Sequence, residues 1–511
     1  MIPALFLALV LDAIFADLVP GSPGCSLAVA RDGQIVYEQG YGTADLEHGT
    51  PITPRTVFDA GSIAKMFTAA SVFLLEEQGR LSLDASIRKY LPELPGVYQD
   101  VTLRHLVHHT GGVRDYLLLR ELAGHPETEP VKPAEVVALL ARQKGLDFPP
   151  GERHSYTNSG YVLLALAVER ASGMPLGRFA EESFFKPIGM TSTRFFDDPT
   201  RIVPNRADSY FPGGVFRTWT GTVGDTGLLS TVGDLVRWDA AVARPGPDAL
   251  RGRALAKLAE AGRLRDGHPL GYGGGLFLRE FRGLRTIGHG GSTLGYVADL
   301  LRFPDAGLTI ACLCNTPAGA ASRRVREVAR IVLGDRLQPE PPVAPAEATV
   351  GLYWDRESDS FRRASMKDGK VVLLRFGAER ELAPLGEGRF RIPGTPGTVE
   401  VAFGPGFLTE TGDAKPIMRF ERIEPSAPQD PARYAGIYTS DEVGGELTLR
   451  VNEGALILGF GEQEILLEPF AADALRHEIL GTVRLDARGL VLNTPRAKGL
   501  RYEKVGAGAR R

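Results

Sequence analysis

The sequence predicts a mixed α/β (α+β) fold, an antiparallel sheet flanked by helices, followed by two all-β barrel modules. Three observations predict it. From Ser62 the chain reads as a long apolar helix, SIAKMFTAASVFLLEEQ, stopped by Gly79. Between residues 276 and 315 the period changes to four strand-length runs, 276–281, 284–289, 296–303 and 308–315, divided by short turns containing Gly or Pro-Asp. Beyond residue 345, short alternating β runs recur at a constant offset.

Taken in order, residues 1–11 (MIPALFLALVL) resemble the apolar centre of a signal peptide, but no Lys or Arg precedes them and no small-residue cleavage site follows. The alternative is a helix continuing through residue 18 and packing on the first domain, and localisation (periplasmic, secreted or cytoplasmic) stays open. Residues 25–30 and 34–40 form a hairpin, because the intervening Asp32-Gly33 supplies the positive φ of a tight turn. Helices follow at 134–143 and 159–171, and a closing helix at 320–333. Strands at both ends with helices between imply one sheet completed by distant segments. Residues 338–345 (QPEPPVAP) are dense in proline, which stiffens the chain and removes donors, so they read as a linker.

After the linker, Gly351-Leu352-Tyr353 matches Gly436-Ile437-Tyr438, and Gly369 in KDGKVVL matches Gly454 in NEGALIL, both at an offset of 85 residues. Phe376-Gly377 and Phe460-Gly461 are offset by 84. Three landmarks near one register indicate tandem β modules of shared ancestry, and closure into small barrels removes exposed edges. The expected domains are 1–337, 346–425 and 430–511.

The 511 residues carry 59 Lys+Arg against 62 Asp+Glu, a net charge of −3 without a basic block, which argues against a nucleic-acid binder. No apolar run reaches the ~18 residues of a membrane span. Cys25, Cys312 and Cys314 are an odd, sparse set that cannot build a disulfide framework. Cys312 and Cys314, two apart on an apolar run, are expected on one face of a core strand.

Three short stretches carry chemistry. Ser62-Ile63-Ala64-Lys65 opens the long helix, and residues three apart share a face, so the Lys65 amine can lie beside the Ser62 hydroxyl near the positive end of the dipole. Alone, this spacing is common as an N-cap with a surface lysine. Tyr156-Thr157-Asn158 precedes an apolar helix, where a phenol and an amide can face a cleft; alone it reads as a cap with a half-buried Tyr. His289-Gly290-Gly291-Ser292 ends a strand, its glycines allowing a substrate backbone to approach; alone it reads as a strand-end turn. A fourth stretch, 224–234, reads as a structural loop with a helix cap at Ser230 or Thr231.

Together and in this order these stretches resemble the serine β-lactamase and penicillin-recognising hydrolase family, in its class C-related branch, over roughly residues 20–335. His109-Thr110-Gly111-Gly112 is similar to the family's His-Thr-Ser-Gly turn, and residues 224–230 to another recurrent segment. A catalytic domain with two β-barrel modules also resembles D-stereospecific aminopeptidases. The resemblance implies Ser62 as the nucleophile of an acyl-enzyme, Lys65 as its proton partner and Tyr156 as general base and acid. It implies that Asn158 holds Lys65 and the substrate amide, and that the backbone N–H groups of Ser62 and Ser292 form the oxyanion hole. His289 and Gly291 take the first and third places of a strand motif that is usually Lys-Thr-Gly. Replacing that lysine by an imidazole of ordinary pKa ~6.5 removes a fixed cation. This weakens capture of penicillins and free carboxylates and suits neutral esters and amides, or substrates with a free amine.

The resemblance therefore implies a serine hydrolase without metal or organic cofactor, acting on small amides, esters or short peptides. The expected activity is D-aminopeptidase-like or carboxylesterase; β-lactamase, DD-carboxypeptidase or a non-catalytic penicillin-binding protein are the alternatives. Substrate identity and homo-oligomerisation stay open. A zinc hydrolase on His105, His108 and His109 lacks a His-Glu-x-x-His pattern, and no Gly-x-Ser-x-Gly elbow supports an α/β-hydrolase.

Overall fold

Alternation along the first strand organises the first region of the chain. In the structure, a computed structural model, β1 (Cys25–Arg31) sends Leu27 and Val29 to one face and Ala28 and Ala30 to the other, and both faces are buried. With β2 (Gln34–Tyr41) it forms the predicted hairpin. The described residues are 4–211, 214–216, 221–244, 246–339, 350–356, 358–375, 378–392, 399–412, 415–426, 430–471, 474–486 and 488–505.

Two helices frame the site. An N-terminal helix, α1 (Ala4–Ile14), and the central α2 (Ala64–Glu77) precede a third, α3 (Asn158–Ser172). Later come β3 (Phe277–Phe281), β4 (Leu284–Thr293), β5 (Tyr296–Phe303), β6 (Leu308–Cys314) and the closing helix α4 (Ala321–Leu333). The six strands make one antiparallel sheet ordered β3-β4-β5-β6-β1-β2, so the two chain segments meet where β6 pairs β1. Leu11 and Phe15 pack with Val325 and Val328 of α4 over one face, and Arg324 binds the Asp17 carboxylate at 2.7 Å. Against the other face lies the helix Val232–Ala243, whose Trp238 ring packs 4.1 Å from that of Phe67 in α2; α2 is buried from Ala64 through Leu75, as expected of a helix apolar on all sides.

The cysteine reading is corrected. Cys312 and Cys314 do share a buried face, but Cys314 forms a disulfide with Cys25, leaving Cys312 as the free thiol. Register decides the pairing: β1 sets Cys25 opposite Cys314, whereas Cys312 faces Leu27.

The two β modules repeat residue by residue. Gly351 pairs with Ala364 as Gly436 pairs with Leu449, and Lys367 pairs with Lys370 as Asn452 pairs with Ala455. Even the irregularity repeats, with register shifts beginning at Pro384 and at Pro469, again 85 residues apart; proline cannot donate to a ladder and settles at such bulges. The second module is a closed eight-stranded barrel. In the first, the strand matching Gln463–Ala471 is broken at Leu382 into Ala378–Glu381 and Ala383–Gly386, which become the two edges of a nine-stranded, nearly closed sheet. Phe376-Gly377 and most of the proline-rich linker lie outside the described residues.

Candidate active site

Ser62 sits in a tight turn, Gly61–Ile63, that feeds directly into α2. Gly61 holds a φ of +54°, and its N–H donates to Asp59 Oδ1 at 2.8 Å. One turn on, Lys65 is fully buried and spends its ammonium on three acceptors: Ser62 Oγ at 3.1 Å, Asn158 Oδ1 at 2.9 Å and the Asp225 carbonyl at 2.8 Å. A buried ammonium needs such satisfaction, and here it fixes the amine against the serine.

Asn158, the first residue of α3, is itself fixed. Its N–H donates to Asp115 Oδ2 at 2.7 Å, while the next hydroxyl, Ser159 Oγ, donates to the Arg114 carbonyl and accepts from Tyr116 N–H. The 224–234 stretch does cap a helix at Thr231, but it also supplies the Asp225 carbonyl to Lys65 and the Gly224 carbonyl to Thr68. That contribution comes from backbone atoms in a glycine turn, and only the density of glycine around Asp225 hinted at it.

The end of β4 closes on the serine turn. A Cβ at Gly291 would lie 1.9 Å from the Ala60 carbonyl oxygen, and one at Gly61 would lie 2.7 Å from Ser292 N. Only glycines allow this contact, which sets the Ser292 backbone beside Ser62. Tyr156 packs its ring 4.3 Å from that of His109, with Lys65 Nζ 4.9 Å from its centroid. Its hydroxyl is buried and has no hydrogen-bond partner among the described residues. A buried phenol that lines a cavity without a partner retains its capacity to donate and accept a hydrogen bond there.

Behind Tyr156 runs a chain of rings. Thr157 N–H donates to His109 Nδ1 at 3.2 Å, so His109 carries its proton on Nε2 and donates to Tyr272, 3.3 Å away. Tyr272 then donates to His289 Nε2 at 3.3 Å, and His289 Nδ1–H donates to the Gly290 carbonyl at 2.5 Å. Burial first, and then the Lys65 charge, pushes His289 down to about 3, so it is neutral at physiological pH. His109, likewise buried, lies well below the ordinary histidine value. His105, His108 and His109 do not converge as a ligand set among the described residues.

A cavity of about 1930 Å³ unites these groups. Ser62, Tyr156, Asn158, His289, Gly291 and Ser292 line its base. Asp355 and Met418 of the first β module and Gln463, Arg496 and Lys498 of the second line its walls. The second barrel is bolted on beside the site. Arg114 donates to Glu442 at 2.7 Å, both side chains buried, and to the Lys498 carbonyl at 2.6 Å. Asp115 N–H donates to the Arg496 carbonyl at 3.0 Å. One segment, 114–116, thus positions both Asn158 and the barrel loop. Sequence reasoning missed Asp115, Tyr272 and Arg496, which belong to no motif and reach the site only through the tertiary fold.

The Beta-lactamase family model matches residues 11–334. The chain belongs to the Beta-lactamase family. This member is a serine hydrolase by family and resembles D-aminopeptidases along most of its length. It is 28% identical over 471 residues to the D-aminopeptidase of Gluconobacter oxydans, covering 88% of this chain and 86% of that one. It is 30% identical over 313 residues to penicillin-binding protein 4* of Bacillus subtilis, covering 57% of this chain and 67% of that one. Among solved structures, the octameric penicillin-binding protein homologue from Pyrococcus abyssi superposes with a TM-score of 0.58 at 24% identity, over 81% of this chain and 99% of that one, a likeness of fold.

Proposed function

We propose that this Beta-lactamase family member is a D-aminopeptidase-like hydrolase working through an acyl-enzyme on Ser62, in a catalytic domain spanning 1–337 with modules at 346–425 and 430–511. The observation that carries the reading is Lys65, whose ammonium reaches Ser62 and Asn158 at once. Ser62 Oγ attacks the substrate carbonyl; Tyr156, acting as a phenolate held beside the Lys65 ammonium, takes up the hydroxyl proton and, then a phenol, gives it to the departing amine. Backbone N–H groups of Ser62 and Ser292 hold the developing oxyanion, an effect of about 3–4 kcal/mol. Water then releases the acyl group by the reverse proton path.

The neutral, buried His289 favours a small amide or ester over a penicillin, and a carboxylesterase activity on the same trio is the second reading. Both β modules line the cavity, which supports a role in restricting substrate size. The octameric relative supports self-association as a proposal. Among the described residues no helix is long and apolar enough to cross a membrane.

Fluorophosphonate labelling that disappears in Ser62→Ala, with the melting temperature kept, is the expected result; persistent full activity overturns the reading. D-alanine p-nitroanilide, a short p-nitrophenyl ester and a chromogenic cephalosporin assayed side by side separate the activities.

A further inference from the structure

The sulfurs of Cys25, Cys312 and Cys314 all lie within 4.8 Å of one another, and all three residues are buried, although the disulfide uses only two of them. Alternation places Cys312 and Cys314 on one face of β6, and pairing with β1 brings Cys25 to that face. The free thiol abuts the bridge, with Cys312 Sγ 3.7 Å from Cys314 Sγ. Over the sulfurs runs a short turn, Pro317–Gly319, whose first two residues are exposed. It sits so close that a Cβ at Gly319 would come 2.8 Å from both Cys25 Sγ and Cys314 Sγ. The fully buried Arg324 of α4 ties the turn down, donating from Nε to the Gly319 carbonyl at 2.7 Å. That same carbonyl lies 3.8 Å from Cys25 Sγ. Three sulfurs thus share one pocket, closed to water by a single turn.

We infer that, once the Cys25–Cys314 bridge is reduced, Cys25, Cys312 and Cys314 form a three-thiolate site for a soft monovalent metal ion of the Cu(I) class, which then ties β1 to β6 in place of the bridge. Opening the bridge takes two electrons and two protons from a reductant, such as a dithiol that leaves as its own disulfide, and yields thiols at Cys25 and Cys314. Binding exchanges three S–H protons, which pass to water, for one metal ion. Metal–sulfur bonds of about 2.3 Å in a flat three-fold arrangement set the sulfurs about 4 Å apart, and Cys312 and Cys314 are already 3.7 Å apart. Soft thiolates select Cu(I). Zn(II) calls for a fourth ligand, and no His, Asp or Glu joins the three cysteines among the described residues. The Arg324 guanidinium offsets part of the negative charge of such a site and Asp299, opposite Cys312 on β5, opposes it, so the metal–sulfur bonds set the affinity. A bridge alone needs two cysteines. It persists in oxidising compartments and opens in reducing ones, and the third cysteine keeps the same two strands joined in both.

The test uses the full chain, reduced by a water-soluble phosphine that leaves as its oxide, with Cu(I) supplied without oxygen as its acetonitrile complex against a chromogenic Cu(I) chelator. Reduced protein should take up one Cu(I) per chain, with three sulfur neighbours by X-ray absorption at the copper edge. Its melting temperature should rise above that of the reduced, metal-free chain, because the ion binds the folded state. Oxidised protein should take up none. Cys312→Ser keeps both bridge cysteines, so its oxidised form is the folding control. Once reduced, it should bind Cu(I) more than about tenfold more weakly than the native chain. No uptake by the reduced chain, equal uptake by the oxidised chain, or an affinity unchanged in Cys312→Ser overturns the inference. So does displacement of Cu(I) by equimolar Zn(II). None of these readouts passes through Ser62, so the outcome is independent of the acyl-enzyme reading.

Discussion

Tyr272 donates a hydrogen bond from its hydroxyl to Nε2 of His289, and through that one bond a residue outside every motif holds the orientation of the imidazole beside the site. Removing the hydroxyl leaves His109 Nε2 and His289 Nε2 without their partner in a fully buried setting. An unsatisfied buried polar group costs about 1–3 kcal/mol. Tyr272→Phe should therefore lower the urea midpoint and reduce kcat/KM while fluorophosphonate labelling of Ser62 persists. An unchanged midpoint contradicts this account of the ring chain.

Tyr156 makes the opposite case. Its hydroxyl has no partner to lose among the described residues. Tyr156→Phe is expected to cut kcat by about 10²–10⁴, the range of general acid–base contributions, with stability equal or slightly higher. Calorimetric scans beside amide assays check both halves, and a large drop in melting temperature would show that the phenol is structural.

His289 carries a pH signature. Burial and Lys65, with a smaller effect of Arg279, hold it at about 3, far below its unfolded value of ~6.5. Below ~6.5 the unfolded chain binds the proton and the folded chain does not, so this stabilising contribution is complete above ~6.5 and is lost as pH falls towards about 3. His289→Asn lacks it. The stability gap between native protein and variant should narrow with falling pH, by up to about 1.4 kcal/mol per unit. Asp59 and Asp147, raised to about 6 chiefly by burial, bend the whole-protein curve the other way, so the difference between the two proteins is the diagnostic quantity. Urea melts at pH 7.5, 6 and 5 measure it; a constant gap refutes the assignment.

Glu442 tests how the barrel is held. Its carboxylate accepts from Arg114 at 2.7 Å and from Lys144 N–H at 2.8 Å, in a contact closed to water. Breaking a buried pair by removing one partner costs about 3–5 kcal/mol. Glu442→Ala should speed hydrogen exchange in residues 493–499 and raise KM for short peptides. Unchanged exchange there would mean that other contacts dock the barrel. The substitution is a cleaner probe than truncation after Pro345, which also strips Arg114 of the Lys498 carbonyl.

Local spacing made some of this architecture readable and left the rest hidden. Ser62 and Lys65 are three apart on one helix face, so their approach follows from helical geometry alone. The 85-residue repeat was legible because glycines at turns and the strand period survive divergence of the other side chains. Cys25 and Cys314 were missed because their union depends on register across strands 289 residues apart in sequence, about which an odd cysteine count says nothing. Asp225 escaped for another reason: it serves Lys65 with a backbone carbonyl, and any residue type offers one. Asp115, Tyr272 and Arg496 act across long chain separations and have no pattern of their own.

The docking of residues 494–499 against Arg114 and Asp147 has a consequence for biosynthesis. Ser62, Lys65, Tyr156 and Asn158 leave the ribosome more than 300 residues ahead of that loop. On the proposed acyl-enzyme reading, a partly made chain carries the proposed nucleophile before residues 495–498 are there to line the cavity. Until the final hairpin seats, such a nascent hydrolase is open on one side, and its selectivity matures later than its reactivity.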